Sequence, residues 1–184
     1  MIIKADISEG QEIIKLLNLA MENIAFKLSG YDDFASSNAI LEKFFTQKDN
    51  RLSYENILVY KIENKIVGAI CVYDGSAENR LNKPFNEHLQ EIGRSWQITR
   101  ECFDGELYID SIAVNEKFRN QGIGGQLIRA AFETARKKRI CKVALLVDTK
   151  KHKEKLFYEK MGFSSNTTLT IYGKKYLHMI KDLM

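Results

Sequence analysis

Arg119, Asn120, Gln121, Gly122, Ile123, Gly124 and Gly125 are the residues of this 184-residue chain whose types and spacing best suit chemistry. They lie between an apolar stretch, Leu107 to Val114, and an amphipathic one, Gly122 to Lys138. A helix that starts there presents amide hydrogens with no partner inside the helix, and glycines remove the Cβ atoms that would hold an anion away from them. Arg119 adds a fixed positive charge and several donors beside that array, so backbone and side chain together suit a diphosphate. Two other phosphate motifs fit poorly. A P-loop needs GxxxxGK and then Ser or Thr, whereas Gly124 and Gly125 lead into Gln126 and Leu127. A dinucleotide fingerprint needs a third glycine where Leu127 stands.

With Ile112-Ala113-Val114 just upstream, Arg119, Gly122 and Gly124 resemble motif A of the GNAT superfamily, R/QxxGxG/A after a strand ending in an aliphatic-x-Val pair. Downstream, Leu156-Phe157-Tyr158-Glu159-Lys160-Met161-Gly162-Phe163 resembles that family's LYxKxGF signature, and the likeness runs from about Leu107 to Phe163. It implies an α/β (α+β) GNAT fold: a mixed, mostly antiparallel sheet of six to seven strands with a central splayed parallel pair, flanked by helices. It also implies an N-acetyltransferase without a metal, moving an acetyl group from acetyl-CoA to a primary amine by direct attack through a tetrahedral intermediate. Ile112, Ala113 and Val114 would offer backbone groups to the pantetheine arm, and Arg119, Asn120, Gln121, Gly122, Ile123, Gly124 and Gly125 would hold the pyrophosphate.

The same resemblance gives Tyr158 a role at the departing thiolate. With reference pKa values of about 10 for a phenol and about 8.5 for a thiol, full proton transfer is uphill by about 2 kcal/mol, so a hydrogen bond suffices. Two positions depart from the family: Lys151 stands where Asn is common and Glu154 where Ala is common. Lys151 either reaches the pantetheine or a phosphate, or faces solvent. The amine also needs a proton acceptor. Asp110 is the first candidate and Glu106 the second, with Asp148 nearby, because strand alternation would put Tyr108, Asp110 and Ile112 on one face. The other reading of Asp110 is a carboxylate bonded to backbone or to a basic side chain. Asp32, Asp33 and the segment 76–105 are candidates to shape an acceptor pocket that favours cationic amines, with Tyr31, Tyr54 and Trp96 as aromatic candidates for its lining or for plain packing.

These residues need a scaffold, and the periodicity supplies one. Residues 9–28 carry a broad apolar face (Ile13, Ile14, Leu17, Met21, Ile24) and predict one helix capped by Ser8; Ser36 to Gln47 predicts a second, after a loop over Leu28 to Asp33. Ile57 to Tyr60 and Ile66 to Tyr73 are rich in β-branched residues around Glu63-Asn64-Lys65, which predicts a hairpin. Pro84 marks the possible first turn of a short helix through Phe85, Leu89 and Ile92. Leu107 to Val114, Gly122 to Lys138 and Lys142 to Val147 form a β-α-β unit with a parallel pair; a helix follows at 151–161, and Leu169 to Tyr172 with Tyr176 to Ile180 form a last hairpin.

Composition narrows the function classes. The length and 45% apolar content suit one domain over residues 1–184, and neither linker nor repeat is visible. No apolar run reaches the roughly 18 residues of a membrane span, and the N-terminus lacks a basic segment followed by an apolar one, so a cytoplasmic protein without a membrane partner is expected. A net charge of +4 from 28 basic and 24 acidic residues is too mild to imply nucleic acid. Cys71, Cys102 and Cys141 are too far apart for a metal motif or a disulfide framework, and no local signature makes a nucleophile of any of them beside His88, His152 or His178. The expected partner is a small-molecule or peptide amine, with a homodimer through the final hairpin as the family's common assembly. The rival within the same resemblance is a catalytically idle acyl-CoA-binding module acting as sensor or assembly partner.

Overall fold

The computed structural model describes residues 1–183. Seven strands build the sheet: β1 (Ile2–Lys4), β2 (Ile57–Ile62), β3 (Lys65–Asp74), β4 (Glu106–Val114), β5 (Lys142–Asp148), β6 (Ser164–Ile171) and β7 (Lys174–Asp182). They lie side by side in the order β1-β2-β3-β4-β5-β7-β6. Every pairing is antiparallel except β4 with β5. Six helices flank it: α1 (Gly10–Met21), α2 (Asn23–Ser29), α3 (Phe34–Phe45), α4 (Glu78–Glu91), α5 (Ile123–Lys137) and α6 (His152–Lys160). The mixed sheet with one central parallel pair is the architecture expected from the resemblance.

The two faces of the sheet carry separate cores. On one, Ile13, Ile14 and Leu17 of α1 pack with Phe45 of α3, Phe85 and Leu89 of α4, and Val59, Cys71 and Ala113 of the sheet. On the other, Leu127, Ile128 and Ala131 of α5 pack against Val67, Ile70, Leu107, Ile109, Val143 and Leu145. Because buried apolar area is the main favourable term in folding, these two faces hold the β4-β5 pair between rigid layers.

Several local details differ from expectation. The first helix is two: Glu22 takes φ 48° and ψ −126°, a region that side chains rarely enter, and interrupts it between Met21 and Ala25, both buried. The 3-10 turn over residues 7–9 that leads into α1 is capped from Asp6, whose carboxylate accepts from Ser8 N (2.9 Å) while Glu9 Oε2 accepts from Asp6 N (3.0 Å); Ser8 therefore lies inside a capping box rather than capping α1. Asp33 caps α3, accepting from Ser36 N at 2.8 Å. In the first hairpin Glu63 (φ 46°) and Asn64 (φ 62°) both adopt the left-handed conformation that two-residue turns demand. α4 begins six residues before Pro84, which sits inside it, because Asp74 caps the preceding turn through Ser76 N (2.9 Å). β1 has only three residues, too few for a period to show in the sequence.

Gly75 fixes how the long segment after α4 returns to the sheet. A Cβ placed there would lie 2.2 Å from Phe103 O and 3.2 Å from Glu106 O, both backbone atoms that cannot step aside cheaply. Gly75→Ala should therefore cost about 1–3 kcal/mol, as overpacking does. Urea denaturation checks it, and an unchanged midpoint would mean that this contact relaxes freely.

Candidate active site

The central feature of the site is a fork in the sheet. β4 and β5 pair only from Glu106↔Lys142 to Ile109↔Leu145. Beyond that point β4 stays with β3 as far as Val114↔Gly68, and β5 stays with β7 as far as Asp148↔Tyr176. Where they part, β4 carries a bulge: Cys71 pairs with Ser111 and Val72 with Ile109, so Asp110 is the extra residue. A bulge bends its strand and shifts the alternation by one. Leu107 and Ile109 face α5, and so do Ile112 and Val114, while Tyr108 and Ala113 face the other way. The expectation that Tyr108, Asp110 and Ile112 share a face is thus corrected, and the bulge is the cause.

The fork opens into a cleft of about 760 Å³. Ile112, Ala113 and Val114 form one wall, and the turn before α5 forms the end, with Arg119, Asn120, Gly122, Ile123, Gly124 and Gly125 all lining it. Gln121 lies in the same turn but outside the lining, its side chain reaching back to Lys117 O at 3.5 Å. Gly122 is the N-cap of α5 at φ 78°, and no side chain caps the helix. The first backbone bond of the helix runs from Gln126 N to Gly122 O (3.1 Å). The amides before Gln126 therefore keep their donors, and α5, fifteen residues long, adds the positive end of its dipole. A Cβ on Gly124 would make only ordinary contact, 3.5 Å from Phe157. The site thus suits an anion on geometry alone. Arg119 is half exposed, with Nε on Val114 O (3.1 Å) and Glu116 3.6 Å from its guanidinium, so its other donors face outward.

Tyr158 of α6 lines the same cleft, buried, packed near Phe157 and Phe163. Burial, and then the charge of Glu154, push its phenol pKa well above the usual value, so the group is a neutral donor at pH 7. Lys151 stands at the mouth. It pairs with Glu22 (2.7 Å), at the break between α1 and α2, and with Glu154 (3.3 Å), which joins the two walls. Burial lowers its pKa, but the bond to Glu22 and the charge of Glu154 outweigh this and the pKa is raised.

The carboxylates read as candidate bases are both engaged. Asp110 Oδ1 accepts from Arg51 Nε at 2.9 Å and from Nη2 of the same guanidinium, and the Tyr73 hydroxyl lies 3.4 Å away; its side chain is 2% exposed. This matches the alternative reading of Asp110. Glu106 lies at the start of β4, away from the fork, where its Oε2 meets His178 Nε2 (3.0 Å) and Phe103 N (3.1 Å). It lines neither the cleft nor the smaller cavity beside it. Asp148 accepts from Lys150 N at 2.9 Å and lines that smaller cavity.

Sequence reasoning missed the buried cation that engages Asp110. Arg51, 1% exposed, bonds to Asp110, to Glu101 Oε2 (2.9 Å) and to Asn82 Oδ1 (3.4 Å). Burial alone would lower the guanidinium's pKa; Asp110 and then Glu101 outweigh that and hold it well above normal. Nothing in the sequence announces these contacts, which span 31 to 59 positions. The aromatic candidates also sit elsewhere: Trp96 donates to Lys27 O (3.1 Å), Tyr54 packs with Phe45, and Tyr31 lies by His88.

The sequence matches the family model of the acetyltransferase (GNAT) family over residues 25–163. The chain belongs to the GNAT family. Among solved structures, this GNAT protein is similar to an N-acetyltransferase from Staphylococcus aureus Mu50, with 27% identity over 98% of this chain and 99% of that one and a TM-score of 0.81. It is also similar to an acetyltransferase crystal structure at 27% identity over the whole of both chains, TM-score 0.80. A Bacillus anthracis protein solved in complex with acetyl coenzyme A shares the fold, at 18% identity over 70% of this chain and 62% of that one, TM-score 0.50. No curated protein matches the sequence. No helix among the described residues is long and apolar enough to cross a membrane.

The arginine cluster yields a stability prediction. Arg51→Met would leave Asp110 and Glu101 as two buried carboxylates without a counter-charge, at a cost of about 3–5 kcal/mol. Asp110→Asn removes one of two acids facing a single cation, so it should cost clearly less. Chemical denaturation of the two variants checks the order; equal losses would contradict it.

Proposed function

We propose that this GNAT protein is a cytoplasmic, acetyl-CoA-dependent N-acetyltransferase that acylates a primary amine. The observation carrying this reading is the uncapped start of α5, with its free amides, at the end of a cleft that also contains the forked strands and a neutral phenol. The turn from Arg119 to Gly125 would take the diphosphate of acetyl-CoA, and the backbone of Ile112 to Val114 its pantetheine arm. Partly exposed Leu19 and Phe157 would cover the apolar parts of that arm. The thioester would then lie in the fork, beside Tyr158.

Only a neutral amine can attack the thioester carbonyl. Free amide donors in the fork would meet the oxygen as it gains charge, and because they are already fixed they need no rearrangement during the reaction. Tyr158, its proton held by burial, would donate a hydrogen bond to the leaving sulfur rather than ionise. The test is direct: mix protein, acetyl-CoA and a panel of amines, and follow thiol release. The idle-module reading draws support from the engagement of Asp110 with Arg51. Acetyl-CoA binding without turnover of any amine would favour it. Free, buried Cys71 and Cys102 agree with a reducing compartment.

Gly124→Asp should weaken acetyl-CoA binding by about 100-fold or more, because a carboxylate would stand where the anion must sit. Titration calorimetry reads this, and undiminished affinity would exclude the site. Tyr158→Phe should lower kcat by about 10- to 100-fold, the worth of one good hydrogen bond to a charged group, with acetyl-CoA affinity nearly unchanged. A parental kcat at every pH would exclude a role at the sulfur.

A further inference from the structure

An ammonium group must lose a proton before its nitrogen can attack, and neither Asp110 nor Glu106 is free to take it. Glu101 differs. It is 3% exposed; its Oε2 accepts from Arg51 Nη2 (2.9 Å) and from the Tyr108 hydroxyl (2.9 Å), while its Oε1 has no hydrogen-bond partner at all. A buried acceptor left unmade costs about 1–3 kcal/mol, more when charged, so a donor is expected to meet it in the working state.

Glu101 lines a cavity of about 80 Å³, large enough for an ammonium head and a few methylenes. Asp110 and Leu146 border both this cavity and the large cleft, so the small cavity opens where β4 and β5 part. Its lining holds five carboxylates, Glu22, Glu101, Asp110, Asp148 and Glu154, against two cations, Arg51 and Lys151. Three negative charges in excess stand out in a chain whose net charge is +4. Such a wall attracts cations and repels anions.

We propose that Glu101 receives the amine's proton and that the acceptor is an aliphatic primary amine with a second positive charge, its reactive nitrogen at Glu101 Oε1 and its distal charge toward the rim carboxylates Glu22, Asp148 and Glu154. This rests on the acetyltransferase reading. In the reaction the N–C bond forms and the C–S bond breaks. Of the three ammonium protons one stays on the amide, one passes to Glu101 and then to water, and one ends on the thiolate sulfur. The position of Glu101 is built in: Glu78, fully buried, accepts from Glu101 N (2.7 Å) and Cys102 N (3.3 Å) and pins the segment that carries it.

The surrounding charges agree. Burial raises the Glu101 pKa, Arg51 opposes this, and Asp110 adds to the rise, with the net shift upward. The groups facing it are Arg51, Asp110 and Tyr108, with Tyr73 and Asn82 behind them and Glu22, Asp148, Lys151, Glu154 and Tyr176 around the cavity. A carboxylate moved toward neutrality is a better proton acceptor at physiological pH.

The test uses three acceptors of one chain length that differ in distal charge: 1,4-diaminobutane, butylamine and 4-aminobutyrate. With the parent protein, kcat/KM should fall by about tenfold at each step, in that order. Glu101→Gln should lower kcat/KM for the diamine by about 100-fold near neutral pH, with acetyl-CoA affinity kept, and the deficit should shrink toward about pH 10 as free amine becomes abundant. A loss that does not change with pH, parental activity in Glu101→Gln, turnover of 4-aminobutyrate as fast as the diamine, or turnover of none of the three overturns the proposal. The acceptor comparison needs no variant and stands even if Glu101→Gln fails to fold. Failure of the parent to bind acetyl-CoA would instead overturn the acetyltransferase reading itself.

Discussion

The parallel ladder between β4 and β5 stops at Ile109 and Leu145, and the rest of the site follows from that stop. Two paired strands leave no room for a ligand between them. Here each strand keeps its outer neighbour while releasing the inner one, so the sheet stays closed at both sides and opens in the middle. Asp110, the extra residue in β4, supplies the bend at the same point. The turn after β4 then delivers the start of α5 to the end of the opening. A cleft whose shape suits an anion and an extended arm thus comes from one departure from regular pairing.

Burying a guanidinium beneath this fork is expensive unless its charge is matched, and Arg51 is overmatched. Asp110 and Glu101 both answer it, which leaves one negative charge in surplus close to the cavity. The same contacts lock the bulge of β4 to Arg51 and to the segment before β4. On the proposed reading, stability and acceptor chemistry are coupled in one cluster: removing the cation would harm the fold, whereas the unpartnered oxygen of Glu101 would meet the substrate. On the opposite wall Lys151 ties Glu22 to Glu154, so the break between α1 and α2 and the start of α6 are held together at the mouth.

Much of this was legible in the chain. Elements with a strong period, such as α5 with its buried Leu127, Ile128 and Ala131, were located within a residue or two, because their pattern is the core they bury. The glycine turn before α5 was legible because glycine spacing before an amphipathic helix reports backbone geometry directly. What was hidden depends on contacts between distant positions. The bulge at Asp110 leaves no mark in the composition of β4, yet it reverses which side chains face α5. Glu101 sits in an aperiodic stretch, and its meaning comes from Arg51, fifty positions earlier. Pro84 misled the reading of α4, since a proline suits a first turn but is tolerated farther in when capping and packing hold the helix.

At the centre of the proposed mechanism is a diphosphate that the free amides at the start of α5 would hold. Titration calorimetry of the parent protein with CoA and with pantetheine, which lacks the diphosphate and nucleotide, addresses it directly. CoA should bind at least about 100-fold more tightly, equivalent to two or so charge-assisted hydrogen bonds. Equal affinities, or no measurable binding of CoA, would contradict the assignment of this turn.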